Sequence, residues 1–257
     1  MTGSTQKARL LRELHHRPGE PLVLPNAWDA VSARAFAAAG FPGVATSSVA
    51  VAAVLGYEDG EDAPGAEMLA AAGRIARAVD VPVTADLEGG YRLSGRELAE
   101  RLLELGVAGC NLEDTERPGG GLADPAKHAE RLAEFRAAAG DALVLNARVD
   151  VFLHDRGVEE AVHRARTYLD AGADCVYPIL APREVIPELV ARIPGPVNAH
   201  CDPSQPDFGV PDLLTTGVAR VTYGGALWRR TLPALNELAA SCNALGARGT
   251  ARETPTA

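Results

Sequence analysis

Eight short apolar runs, separated by helix-forming stretches, restrict the fold of this chain more than any other feature. The runs lie at residues 22–24, 43–46, 81–85, 108–112, 142–147, 174–177, 196–199 and 219–222. Each has strand length and is bounded by Gly, Pro or a polar residue. Helices are expected at 1–20, 27–39, 65–79, 94–105, from Pro125 onward, and at 158–171, 183–192, 207–216 and 225–245. Ser94 is a natural cap, and Pro125 is a favoured first-turn residue. Residues 47–62 read as a long polar, glycine-containing passage, and the tail from Gly246 reads as disordered. A glycine closes a helix before the next strand at Gly40, Gly106, Gly140, Gly172 and Gly217, each suited to a left-handed cap. Strands separated by helices pair in parallel through right-handed crossovers. Eight such units in about 250 residues make a (β/α)8 TIM-type barrel, a single domain over 1–245. The alternative is a doubly wound open sheet, but no GxGxxG follows the first strand.

Composition narrows the partners. Of the 257 residues, 47% are hydrophobic, and 25 Lys and Arg stand against 34 Asp and Glu, a formal charge of −9. That balance argues against nucleic acid and against an anionic membrane surface. It leaves an acidic small molecule open, because a local arginine or metal outweighs net charge. The cysteines at 110, 175, 201 and 242 form no CxxC and no zinc spacing, so all four read as reduced thiols in a cytoplasmic protein. The start of the chain lacks the apolar stretch of a signal peptide, and no run reaches transmembrane length.

In a barrel of this kind chemistry collects at the C-terminal ends of the strands. Those ends carry Asn26, Trp28 and Asp29; Ser47 and Ser48, then Tyr57 and Asp59; Asp86 and Glu88; Asn111, Glu113 and Asp114; Asn146, Arg148 and Asp150; Tyr177; Asn198 and His200; and Tyr223. Asp86 and Glu88 are two residues apart, a spacing that puts both on one side of a strand. With Asp59 and Glu113 they form an acidic ring whose counter-charge is Arg148. Crowded carboxylates resist ionisation unless a cation sits among them. Mg2+ keeps several waters and takes one or two carboxylates directly, so Asp86 is the expected direct ligand, with Asp59, Glu88 and Glu113 holding waters. His200 is the only histidine at a strand end on this face, a candidate proton donor or substrate ligand; Tyr57 is a weaker catalytic candidate.

Taken in order, Asn26-Ala27-Trp28-Asp29, Thr46-Ser47-Ser48, Gly56 to Glu61, Asp86 to Tyr91, Asn111-Leu112-Glu113-Asp114 and Asn146-Ala147-Arg148 resemble the isocitrate lyase / phosphoenolpyruvate mutase superfamily over roughly residues 20–245. The resemblance implies a (β/α)8 barrel with its last helix exchanged between subunits of a dimer or dimer of dimers. It implies Mg2+, a 2-oxo or 2-hydroxy acid substrate and an enolate of pyruvate or a close relative. It also implies that Asp59, Asp86, Glu88 and Glu113 are the metal and water shell, that Ser47 and Ser48 bind the substrate carboxylate, and that Arg148 balances the enolate. Asn198 and Trp28 join the substrate-binding candidates, and Glu113 the catalytic ones.

The chain departs from the superfamily in one loop. Its well-known lyases carry a Cys-containing Lys/Arg–Gly–His loop after the fourth strand. Here that segment is Thr115-Glu116-Arg117-Pro118-Gly119-Gly120-Gly121-Leu122, with no Cys, Lys or His, and its glycines suit a mobile lid. The expected function is therefore Mg2+-dependent carbon–carbon cleavage or decarboxylation of a small 2-oxo or 2-hydroxy dicarboxylate. Phosphorus–carbon chemistry on phosphonopyruvate or phosphoenolpyruvate is the alternative. A barrel that binds a small acid without turnover is a third reading.

Overall fold

Every pairing between named strands is parallel. The computed structural model describes residues 3–17, 19–117, 119–205 and 209–250, without side chains for 245–250. The strands are β1 (Leu22–Leu24), β2 (Asn26–Ala27), β3 (Val44–Thr46), β4 (Val83–Asp86), β5 (Gly109–Glu113), β6 (Val144–Val149), β7 (Cys175–Pro178), β8 (Asn198–His200) and β9 (Arg220–Thr222). They fall into the orders β1-β9-β8 and β2-β3-β4-β5-β6-β7. The two sets are one ring. β1 and β2 are a single strand interrupted at Pro25, which lacks an N–H but whose carbonyl accepts from Ala45 N at 2.9 Å. The other seam closes through a parallel bridge between Val176 and Val197, with Val176 N donating to Pro196 O at 3.0 Å. The result is the expected (β/α)8 barrel.

The helices are α1 (Gly3–Leu14), α2 (Ala30–Ala38), α3 (Ser48–Leu55), α4 (Gly65–Ala78), α5 (Gly95–Leu105), α6 (Pro125–Ala139), α7 (Val158–Asp170), α8 (Ile186–Arg192), α9 (Val210–Leu214) and α10 (Ala226–Thr250). Ser94 and Glu97 form the expected capping box of α5, and Gly106 ends it at φ 74°, ψ 21°. All five cap glycines take positive φ, although Gly140, at ψ −132°, leaves the left-handed region. Between strands and helices, Ile75, Leu98, Leu102, Leu112, Leu132 and Phe135 are buried in one apolar layer, each contributing about 1.5–3 kcal/mol on burial.

Several expectations shift. Residues 48–55 are a helix, not a polar passage: Ser47 caps it, and Gly56 closes it at φ 92°. α2 starts at Ala30, because Asp29 and Ser32 form a capping box there. α1 ends at Leu14 rather than near residue 20. α10 continues five residues past Leu245 to Thr250. The expected helix start at Asp207 and the tail 251–257 lie outside the described residues, as do Pro18 and Pro118. Among the described residues no helix is long and apolar enough to cross a membrane.

The N-terminal end of the barrel is sealed by α1. Leu11 and Leu14 are buried with Leu22, Leu24, Ala45 and Val144. Arg12 donates to Asp174 at 2.8 Å and to the carbonyls of Asp141 and Leu143, while Arg136 pairs with the other oxygen of Asp174. The opposite end is left to function.

Candidate active site at the C-terminal ends of the strands

The N-terminus of α3 faces Asp86. Ser48 N donates to Asp86 Oδ2 at 3.2 Å, and Asp86 N donates to Thr46 Oγ1 at 2.8 Å. Ser47 accepts from Ala50 N as the cap, so the positive end of the helix dipole points at a carboxylate. Burial raises the Asp86 pKa, Arg148 opposes that rise, and Asp59 adds to it. Asp86 Oδ1 is buried without a hydrogen-bond partner. An unpartnered buried oxygen costs about 1–3 kcal/mol, and a hard cation is what such an oxygen suits.

Glu88 reaches the site by a different route from the one its spacing suggests. β4 ends at Asp86 and Glu88 takes a left-handed φ of 50°, so strand alternation no longer applies. Its Oε2 accepts from Gly60 N and Glu61 N, both at 2.7 Å, and its Oε1 from the Tyr91 hydroxyl at 2.8 Å. Glu88 thus pins the loop that carries Asp59. Burial, and then repulsion from Asp59, pushes its carboxyl up to about 7. Asp59 itself is exposed. Among the described residues no group of three or more His, Cys, Asp or Glu has cation-holding geometry. Of the predicted carboxylates, Asp86 keeps a buried unpartnered oxygen, whereas Glu88 is bonded to Gly60, Glu61 and Tyr91 and Glu113 to Arg148 and Arg117.

Arg148 is fixed from two sides. Its Nη2 lies 2.6 Å from Glu113 Oε2. Its Nε and Nη2 donate to Asp150 at 2.6 and 3.0 Å. Nη1 makes no hydrogen bond to the described residues. Burial works against the guanidinium charge, but Asp150 and Glu113 more than offset it and hold its pKa above the ordinary value. Burial raises the Glu113 carboxyl, with Arg148 opposing the rise. Behind this pair, Asp150 N donates to Asp114 at 2.8 Å. Asp114 in turn accepts from Arg164 and from the Tyr168 hydroxyl on α7, at 3.0 and 2.7 Å. Arg164 and Tyr168 escaped the sequence reading, because a pairing 50 residues apart leaves no local pattern.

The strands beside Arg148 hold His200, on β8, with a partner on β7 that the sequence showed only as a strand end. Tyr177 is in register with Arg148, and its hydroxyl lies 3.3 Å from His200 Nδ1. Burial pushes the phenol up to about 12, against a hydrogen bond from Thr222. Burial lowers the pKa of His200, against Asp202. Asn198 accepts from Thr222 at 3.2 Å. The remaining two candidates stand apart. Tyr57 donates to Glu67 on α4 at 3.0 Å, and the Trp28 ring packs edge-on against Phe36. No hydrogen bond or ion pair among the described residues ties either to Asp86, Arg148 or His200.

The glycine-rich loop folds back on itself. Thr115 and Leu122 form an antiparallel bridge, and Thr115 donates to Asp150 at 2.5 Å. Arg117 reaches Glu113 at 3.2 Å. With Lys127, His128 and Arg131 the loop walls a cleft of about 350 Å3.

The family model for phosphoenolpyruvate phosphomutase matches residues 11–243. An uncharacterised protein of Mycobacterium tuberculosis (strain H37Rv) is 36% identical over 215 residues, covering 82% of this chain and 80% of its own. A crystal structure from Burkholderia cenocepacia J2315, of a protein assigned as a phosphonomutase, is 38% identical with a TM-score of 0.84, covering 91% of this chain and 99% of that one. The structure of 2,3-dimethylmalate lyase, a member of the phosphoenolpyruvate mutase/isocitrate lyase superfamily, is 25% identical with a TM-score of 0.83, covering 96% and 89%.

Proposed function

Because the chain belongs to the phosphoenolpyruvate phosphomutase family, within a superfamily of lyases and mutases of small carboxylates, we propose that it is a Mg2+-dependent carbon–carbon lyase. It cleaves or decarboxylates a small 2-oxo or 2-hydroxy dicarboxylate through a pyruvate-type enolate. The observation that carries this reading is the pairing of Tyr177 and His200 at 3.3 Å beside Arg148, in a chain whose loop after β5 has no cysteine. That pair supplies a proton donor that does not come from the loop.

The residues divide the work by chemistry. The backbone N–H groups at the start of α3, with Ser47 and Ser48, bind the carboxylate next to the oxo group. Arg148 Nη1 presents fixed positive charge to the oxygen that becomes negative as the carbon–carbon bond breaks. When bound, Mg2+ at Asp86 would act as a Lewis acid at the same oxygen. With oxaloacetate, CO2 departs, its bonding electrons pass into the enolate, and the Tyr177 hydroxyl, backed by His200, protonates the carbon to give pyruvate. Glu113 and Asp150 hold Arg148 in place throughout. The exposed Leu235 and Leu238 of α10 support assembly with further copies of the chain.

The 38% identity to a protein assigned as a phosphonomutase supports phosphorus–carbon chemistry as the second reading. Incubation with Mg2+ and either oxaloacetate or phosphonopyruvate separates the two. Enzyme-dependent pyruvate from oxaloacetate is expected. Phosphoenolpyruvate, or pyruvate and inorganic phosphate, from phosphonopyruvate, with oxaloacetate untouched, would establish the second reading instead. Tight binding of both without turnover would establish a non-catalytic barrel.

A further inference from the structure

Below the layer of Asp86, Glu113 and Arg148 the barrel interior is polar. Barrels of this type fill that level with branched aliphatic side chains. Here Thr84, Asn111, Asn146, Asn198 and Arg220 are buried there. Arg220 on β9 donates through Nη2 to Asn111 Oδ1 on β5 at 3.2 Å, a bond that crosses the interior, and Asn146 donates to the same oxygen at 2.9 Å.

Arg220 is 0% exposed, and none of the ion pairs among the described residues includes it. Its Nε and Nη1 find no protein acceptor, and a guanidinium cannot shed its charge. Eight buried side-chain atoms among the described residues lack a partner, and seven of them lie along this interior. They are the two nitrogens of Arg220, Thr84 Oγ1, Asn146 Oδ1, Asn198 Nδ2, Asp86 Oδ1 above and His15 Nε2 below. So many orphans in one column point to a common ligand rather than to independent losses.

His15 identifies that ligand. Its Nδ1 lies 2.7 Å from Leu11 O. A carbonyl only accepts, so Nδ1 carries the hydrogen and Nε2 is a bare acceptor. Burial, and then Arg220, keeps the ring neutral, with its pKa lowered to about 3. A halide would satisfy Arg220 and Asn198 Nδ2, but it would face the lone pairs of His15 Nε2 and Asn146 Oδ1. Water accepts from the first pair and donates to the second. We propose that the barrel interior binds a cluster of internal waters, held by Arg220 Nε and Nη1, Asn198, Asn146 and His15, and closed below by α1. The proposal does not depend on the reaction assigned to the site.

A high-resolution crystal structure of the full chain, grown in bromide, tests this. Discrete peaks without anomalous signal are expected at hydrogen-bond distance from Arg220 Nε or Nη1 and from His15 Nε2. A bromide peak on Arg220 would overturn the proposal in favour of an anion site. Direct bonds from Arg220 Nε and Nη1 to protein acceptors, with no solvent between, would overturn it outright. His15→Leu should remove the peak beside residue 15 and keep those at Arg220; an unchanged peak there would also count against the cluster.

Discussion

The two ends of the barrel treat charge in opposite ways. At the N-terminal end Asp174 is shared by Arg12 and Arg136 and also accepts from Leu145 N at 2.8 Å, so these three charges are matched to one another. At the C-terminal end Asp86, Glu113 and Asp150 crowd around Arg148, Glu88 is pushed up by burial and by Asp59, and Asp86 Oδ1 has no partner. A fold held only by burial gains nothing from such crowding. The difference separates charge that stabilises the chain from charge that the proposed function assigns to a cation and an anionic substrate.

The sharpest way to break this comparison is Arg148→Lys. A lysine keeps the charge but cannot hold Asp150 through two nitrogens while facing the site. Turnover should fall by on the order of a hundredfold while the melting temperature stays within a few degrees; equal loss of both would make Arg148 a structural residue. Acid should act on the sealed end instead. The His15 pKa is lowered from 6.5 to about 3, so its contribution is fully present above 6.5 and is lost as pH falls towards 3. At pH 4 that loss is about 3 kcal/mol, and His15→Leu should flatten the pH dependence of unfolding by that much. Asp174→Ala strands two partly buried arginines. Urea unfolding should report a loss of roughly 2 kcal/mol, short of the value for a fully buried pair, with kcat/KM unchanged. Smallest is Arg9→Ala, which removes an exposed pair with Glu13 and should move stability by no more than about 0.5 kcal/mol.

The barrel was legible because its signals are local. Short apolar runs mark strands, and glycines such as Gly40 and Gly106 mark helix ends. α3 was missed because Val49, Val51 and Val54 favour no helix by themselves; the Ser47 cap and burial against the barrel decide it. The acidic end was legible as a set of strand-end residues, but not as geometry. Glu88 abandons the strand at a left-handed φ, Tyr57 turns to Glu67, and Tyr177 gains meaning only from its register with Arg148 and its contact with His200. Arg220 looked like one more strand residue, because nothing local shows that a side chain crosses the barrel.

Pyruvate release from oxaloacetate, by unmodified protein and by Asp86→Ala, tests the central claim most directly. It would be followed before chelation, after chelation and after Mg2+ is restored. The account predicts release by the unmodified protein that chelation abolishes and Mg2+ restores, with Asp86→Ala no faster than the Mg2+-only background. Release that persists after chelation, or equal rates for the two proteins, would contradict it.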